Sequence, residues 1–309
     1  MDDTQFLKLT LQYISHCRFE KGLDCKTLKA YTTDLAQFAA FVSNTHGQYR
    51  KETLQTYIVT MHQTYSVKSV KRKLASLKAF FNFLEYEEIL LENPFSKLRV
   101  KLHEPTILPR TIPLATVTRL LQCAYNQCPN YKKDSYSYRA VVRDIAVLEL
   151  LFATGIRISE LCSLQPEDVN LSEGIIKIYG KGAKERLIQI SNKDVLTALV
   201  TYSMAFSKEI DVSSCFFVNR LGNQLSDQSV RLMINKYCKA ADIKQHITPH
   251  MFRHSFATYL LEEDVDIRYI QNLLGHSSIV TTQIYTHVTS KKQRDILALK
   301  HPRNKIPTP

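Results

Sequence analysis

Four prolines, Pro94, Pro105, Pro109 and Pro113, punctuate the stretch from Glu92 to Pro113, and they constrain the fold more than any other feature of the chain. Each removes a backbone donor and pushes the residue before it toward extended geometry, so a helix spanning this stretch is denied. Hydrophobic periodicity lapses there too, while helical patterns precede and follow it. The chain therefore reads as two parts joined by an extended segment, and 309 residues are enough to bury two modest cores. The expected organisation is a helical domain over 1–92, a linker over 93–113 and a second domain over 114–309. Lys97, Arg99, Lys101 and Arg110 make the linker basic, which suits a segment running beside a polyanion.

Residues 4–90 read as four helices. In the last, Val67, Val70, Leu74, Leu77, Phe81 and Leu84 recur at spacings of three and four and form one apolar stripe. Asp24 and Thr27 mark a helix start ahead of a second such face, Leu28, Tyr31, Leu35, Phe38 and Val42. Off the stripe of the last helix lie Lys68, Lys71, Arg72, Lys73 and Lys78. A charged face is often only a solvated one, but five cations with no acid between Val67 and Leu84 favour contact with phosphates.

The second part is mainly helical with one β signal, GIIKIYGKGAKERLIQI, whose two β-rich runs flank KGAK and read as a hairpin. A polar segment, Asn126 to Arg139, reads as a loop before the helix VVRDIAVLELLFATG. Its apolar run, IAVLELLFA, is short and interrupted by Glu149, so no membrane span is expected. The start, MDDTQFLK, carries acids where a signal peptide needs positive charge, so a soluble, cytoplasmic protein is expected. Seven cysteines without a CxxC pair suit reduced thiols better than a disulfide framework.

Lys plus Arg outnumber Asp plus Glu by 41 to 29, a net charge of +12, which favours a polyanionic partner. The excess is shared between the two parts, which suits a clamp with two basic jaws rather than one basic tail. The motifs of the second part narrow the chemistry. Cleaving a phosphodiester with a side chain needs a nucleophile, cations on the non-bridging oxygens and an acid for the leaving oxygen. Arg157, in ATGIRISEL, follows Gly155, which can end one helix before the next begins. Its guanidinium can grip two phosphate oxygens, or it can pair with Glu160 three residues on. Thr248-Pro249 is a good helix start, placing His250 and Arg253 on one face near the positive end of that helix. The neighbouring His254 reads as a core or supporting group without assigned chemistry. His276 follows Leu274-Gly275, which reads as a helix end, and Tyr285 lies about two and a half helical turns further on. A tyrosine on an apolar helix is often core, and with a pKa of about 10 it needs activation to attack at neutral pH.

In order and spacing, ATGIRISEL, GKGAKER, TPHMFRHSFAT, LLGHSS and TTQIYTHV resemble the tyrosine recombinases, or phage integrase family. The resemblance covers the second part, and the helical first part is similar to the family's core-binding domain. It implies a mainly α fold with a small β-sheet, in which a helical core-binding domain precedes a tyrosine-recombinase catalytic domain. It further implies that Arg157 and Arg253 bind the scissile phosphate, Tyr285 attacks it, Lys181 protonates the leaving 5′ oxygen, His250 assists proton transfer and His276 contacts the phosphate. Lys184 is the rival to Lys181 in the same turn. No metal and no cofactor are implied, because the phosphodiester is conserved in a 3′-phosphotyrosyl intermediate. The implied partners are a double-stranded DNA recombination site and further protomers: a homo-oligomer, dimeric on a site and tetrameric in synapsis, or a hetero-oligomer with a second recombinase. Within the family the Xer or mobile-element type is expected. A type IB topoisomerase or a non-catalytic DNA-binding regulator on the same fold are the alternatives. Beyond Tyr285, Val288, Ile296, Leu297 and Leu299 give the basic tail a small apolar face that docks either on its own subunit or on a neighbour.

Overall fold

Residues 2–100, 102, 110–133, 135–180 and 185–275 are described by the computed structural model. The chain divides into two units, Met1–Thr106 and Ile107–Pro309. Four helices build the first: α1 (Asp3–Phe19), α2 (Cys25–Asn44), α3 (Lys51–Thr64) and α4 (Val67–Tyr86). Asp2, Asp24 and Ser66 hold extended backbone ahead of α1, α2 and α4, and their side chains accept from the N–H groups of Gln5 (2.7 Å), Thr27 (2.9 Å) and Ser69 (3.4 Å). Each cap satisfies a donor that the first helical turn leaves open. On α4 the expected stripe is buried at Val70, Leu77, Phe81 and Leu84, with Val67 and Leu74 half-buried at its margin. The core is largely aromatic: Phe80 meets Phe6 and Tyr13 edge-on at 5.1 and 5.4 Å, and Phe6 stacks on Tyr49 at 4.4 Å.

The cationic face of α4 departs from expectation at Lys73. Four residues before Leu77, it lies on the buried side of the helix, and its side chain is only 5% exposed. Its Nζ donates to Asp34 Oδ1 at 3.2 Å and to Gln37 Oε1. Asp34, on α2 and fully buried, also accepts from both terminal guanidinium nitrogens of Arg72 and from the Ser76 hydroxyl at 2.8 Å. Burial therefore removes Lys73 from the set of surface cations, and Arg72 stays at the surface but already holds a carboxylate. Lys68, Lys71 and Lys78 are exposed. Because a buried ammonium that loses its carboxylate is strongly destabilising, Asp34→Ala is expected to cost about 3–5 kcal/mol. Urea unfolding checks this as a lowered midpoint at unchanged slope.

The segment after α4 is not a bare connector. Asn93 is buried and donates to Asn82 (2.9 Å) and Glu85 (2.8 Å), while its Oδ1 accepts from the Phe95 N–H (2.9 Å). Phe95, Leu98 and Leu102 pack against the first core. Proline forbids a helix there but does not forbid burial of the side chains between prolines.

The second unit comprises α5 (Leu114–Tyr125), α6 (Tyr136–Thr154), α7 (Ile158–Cys162), strands β1 (Val169–Asn170), β2 (Ile175–Tyr179) and β3 (Glu185–Gln189), then α8 (Lys193–Ala205), α9 (Ser207–Val212), α10 (Asp227–Ala240), α11 (Pro249–Glu262) and α12 (Ile267–Leu274). Helix α6 is its axis, buried from Val141 to Leu151 except at half-buried Arg143. The two acids on α6 have partners: Asp144 accepts from Arg143 (2.9 Å) and Tyr237 (3.1 Å), and Glu149 from Tyr125 (2.9 Å). Burial raises the Glu149 pKa. The helix starts at Tyr136, capped by Ser135, so the polar loop before it is shorter than its composition implies. Among the described residues no helix is long and apolar enough to cross a membrane.

Strands β2 and β3 pair antiparallel from Ile175↔Gln189 to Tyr179↔Glu185, as the hairpin reading expects, and β1 pairs with the outer edge of β2. Two residues long, β1 carries no periodicity that a sequence pattern could reveal. Ile176, Ile178 and Ile188 are buried against the helices. The result is the expected mainly α architecture with one small sheet.

Candidate active site

Helix α6 ends where Gly155 turns left-handed at φ 58°. A Cβ there would lie 2.7 Å from Phe256 and 3.1 Å from Leu274, so both the turn and the approach of α11 and α12 require glycine. Two residues on, Arg157 is the N-cap of α7, with its side chain 32% exposed. Glu160 accepts from the Arg157 backbone N–H (3.0 Å) and from its Nη1 (2.6 Å). The alternative partner weighed for Arg157 is thus present, yet Nη2 also donates to the Gly275 carbonyl at 3.1 Å.

Arg253 lies one turn into α11 and is 4% exposed. Its Nη1 donates to the Gly155 carbonyl at 2.9 Å and its Nη2 to the Leu274 carbonyl. His250, three residues earlier, is exposed in the first turn of α11. Thr248 precedes that helix in extended backbone as expected, but its side chain makes no capping bond. Burial, then the neighbouring His250 and Arg253, push His254 down to about 4, so it is neutral at physiological pH.

Arg186, on β3, belongs to the same cluster. Its Nε donates to the Leu273 carbonyl (2.9 Å), and its Nη1 and Nη2 reach both oxygens of Glu160 (3.1 and 2.6 Å). Burial raises the Glu160 pKa, but the hydrogen bonds and charge of Arg186, then the backbone and side chain of Arg157, outweigh it and hold the carboxyl below its ordinary value. The sequence does carry a signal for Arg186: two residues from buried Ile188 on a strand, it shares the inward face, where an arginine must find an anion.

Three guanidiniums therefore take three successive carbonyls at the end of α12: Arg186 on Leu273, Arg253 on Leu274 and Arg157 on Gly275. These are carbonyls that a helix C-terminus leaves open, at the negative end of its dipole. Among the described residues, Glu160 pairs with two of the three guanidiniums and Arg253 donates to two carbonyls, so the cluster keeps a positive excess suited to an anion. His276 follows directly in sequence. Lys181, Lys184, His276, Tyr285 and the tail lie outside the described residues, so of the six expected catalytic positions the structure places Arg157, His250 and Arg253 and brings the two arginines to one helix end.

Residues 117–292 match the phage integrase family, and residues 11–88 match the phage integrase N-terminal SAM-like domain. A tyrosine recombinase of Agathobacter rectalis is 54% identical over 94% of this chain and 95% of its own length. Tyrosine recombinase XerC of Thermodesulfovibrio yellowstonii is 34% identical over 99% of both chains. The fold is also that of the XerH site-specific recombinase crystallised on its palindromic difH substrate after cleavage, with a TM-score of 0.74, 20% identity and coverage of 94% of this chain and 84% of that one. The chain belongs to the phage integrase family.

Proposed function

We infer that this protein is a tyrosine site-specific recombinase that cleaves and rejoins double-stranded DNA at a recombination site and works there as an oligomer of DNA-bound protomers. The observation that carries this reading is the convergence of Arg157 and Arg253 on the end of α12, immediately before His276 in a chain that continues to Tyr285. Fixed guanidiniums stabilise charge that builds on the non-bridging oxygens during in-line attack without having to reorganise.

In the mechanism this supports, Arg157 and Arg253 hold the scissile phosphate and Tyr285 Oη attacks it. The P–O bond to the 5′ oxygen breaks, Lys181 gives that oxygen a proton, and a 3′-phosphotyrosyl enzyme remains. His250, exposed at the start of α11, assists proton transfer. Attack by the 5′ hydroxyl of a partner strand reverses the step. Lys68, Lys71 and Lys78 supply phosphate contacts from α4, with Arg72 contributing through whatever donor capacity Asp34 leaves it. A cytoplasmic, nucleoid-associated location follows from this substrate.

The phosphodiester energy is stored in the covalent bond, so neither ATP nor a metal is needed by this route. A nicked site whose short 5′-hydroxyl fragment diffuses away is expected to trap the protein as a 3′-linked adduct, at an undiminished rate in excess EDTA. Adduct formation that stops in EDTA and returns specifically with Mg²⁺ would overturn the mechanism.

A further inference from the structure

We propose that Arg186 is a positioning residue of the recombination reaction, which sets the Arg157 guanidinium through Glu160 and braces the end of α12 through the Leu273 carbonyl. Arg157 is tethered at one edge by Glu160 Oε1 at 2.6 Å, and that carboxylate is itself held from behind by the two terminal nitrogens of Arg186 at 3.1 and 2.6 Å. The three groups come from two elements: Arg157 and Glu160 from the cap and first turn of α7, and Arg186 from β3. Glu160 left with Arg157 alone would follow the partly exposed guanidinium. With Arg186 only 10% exposed and fixed on strand backbone, the carboxylate has a rigid anchor and Arg157 has one orientation.

The second contact works on the other side of the site. Arg186 Nε holds the Leu273 carbonyl at 2.9 Å, and its guanidinium lies so close beneath Gly275 that a Cβ there would come within 2.9 Å of Nη1 and 3.3 Å of Cζ. Gly275 is thus needed for its left-handed φ of 63° and again for the seat of Arg186. One arginine thereby ties β3, which begins one residue after the 181–184 segment, to the helix end on which Arg157 and Arg253 converge. Arg186 touches no reacting atom in this account. It acts through the position of Arg157, so the proposal rests on the reading that Arg157 holds the scissile phosphate.

The test compares Arg186→Gln with Arg157→Ala on two nicked substrates, one with an ordinary scissile phosphate and one with a methylphosphonate in its place. The methylphosphonate lacks one charged non-bridging oxygen and so needs less from the arginine that neutralises it. On the phosphate, Arg186→Gln is expected to bind a half-site as wild type does but form adduct roughly ten- to hundredfold more slowly, the loss that a displacement of about 1 Å produces. On the methylphosphonate, the deficits of both variants relative to wild type are expected to shrink together. If Arg157→Ala is impaired and recovers while Arg186→Gln is unimpaired, or impaired equally on both substrates, the positioning role is wrong and the phosphate reading stands. If Arg157→Ala cleaves the phosphate normally, the reading beneath it fails. Should the glutamine variant not fold, Arg186→Lys, which keeps a cation beside Glu160 but loses the fork, carries the same comparison.

Discussion

Tyr285→Phe is expected to bind its DNA site as the wild type does and to form no covalent complex at all. The substitution keeps the ring and removes only the oxygen that would bond to phosphorus, so binding and chemistry separate cleanly. A phenol of ordinary pKa is ionised in roughly one molecule in a thousand at pH 7, and a nucleophilic tyrosine therefore needs its surroundings to stabilise the attack. The arginine cluster at the end of α12 is where that stabilisation is available. Two described tyrosines are poor rivals: Tyr202 and Tyr237 are buried, burial raises the pKa of each, and their hydroxyls are bonded to the Phe216 carbonyl and Asp144. Tyr269 is the better control, since it stands 70% exposed on α12 itself. On a nicked site, Tyr269→Phe is expected to form the 3′-linked adduct at the wild-type rate. An adduct in the Tyr285 variant, or its loss in the Tyr269 variant alone, would move the nucleophile.

What could be read in advance divides according to whether the deciding contact is local in sequence. The buried face of α4 follows from one window of residues, and so do the cap at Asp24 and the glycine turn at Gly155, because each depends on neighbours within a turn or two. Lys73 does not. The acid that draws it inward is Asp34, 39 positions away on another helix, and counting charges along α4 alone makes Lys73 look like a surface cation. Arg186 fails in the opposite direction. It stands inside a motif already explained by its lysines, and its partner Glu160 lies 26 residues earlier on a different element, already assigned to Arg157. The packing of Phe95, Leu98 and Leu102 was hidden for a third reason: proline-rich composition reports which backbone is excluded and says nothing of where side chains settle. The motif residues could be named from spacing, but their meeting at three consecutive carbonyls of α12 is a tertiary fact that spacing does not contain.

The same tertiary fact makes the two arginines of the proposed phosphate site unequal in a measurable way. Replacing either with lysine exchanges a planar fork for a single ammonium, which cannot reproduce two parallel bonds, and cleavage is expected to fall on the order of a hundredfold or more in each variant. Stability is expected to separate them. Arg253 is 4% exposed and joins the Gly155 carbonyl at the end of α6 to the Leu274 carbonyl at the end of α12, so a lysine there leaves at least one buried acceptor without its donor. That omission costs about 1–3 kcal/mol. Arg157 is a third exposed, and Glu160 keeps Arg186 when Arg157 is shortened, so Arg157→Lys is expected to unfold close to wild type. Single-turnover cleavage on a nicked site, set beside urea midpoints for the same preparations, reads both quantities. Near-normal cleavage in both lysine variants would mean that another pair of groups holds the phosphate. A large cleavage loss in the stable Arg157 variant would instead tie the defect to the missing fork rather than to a weakened fold.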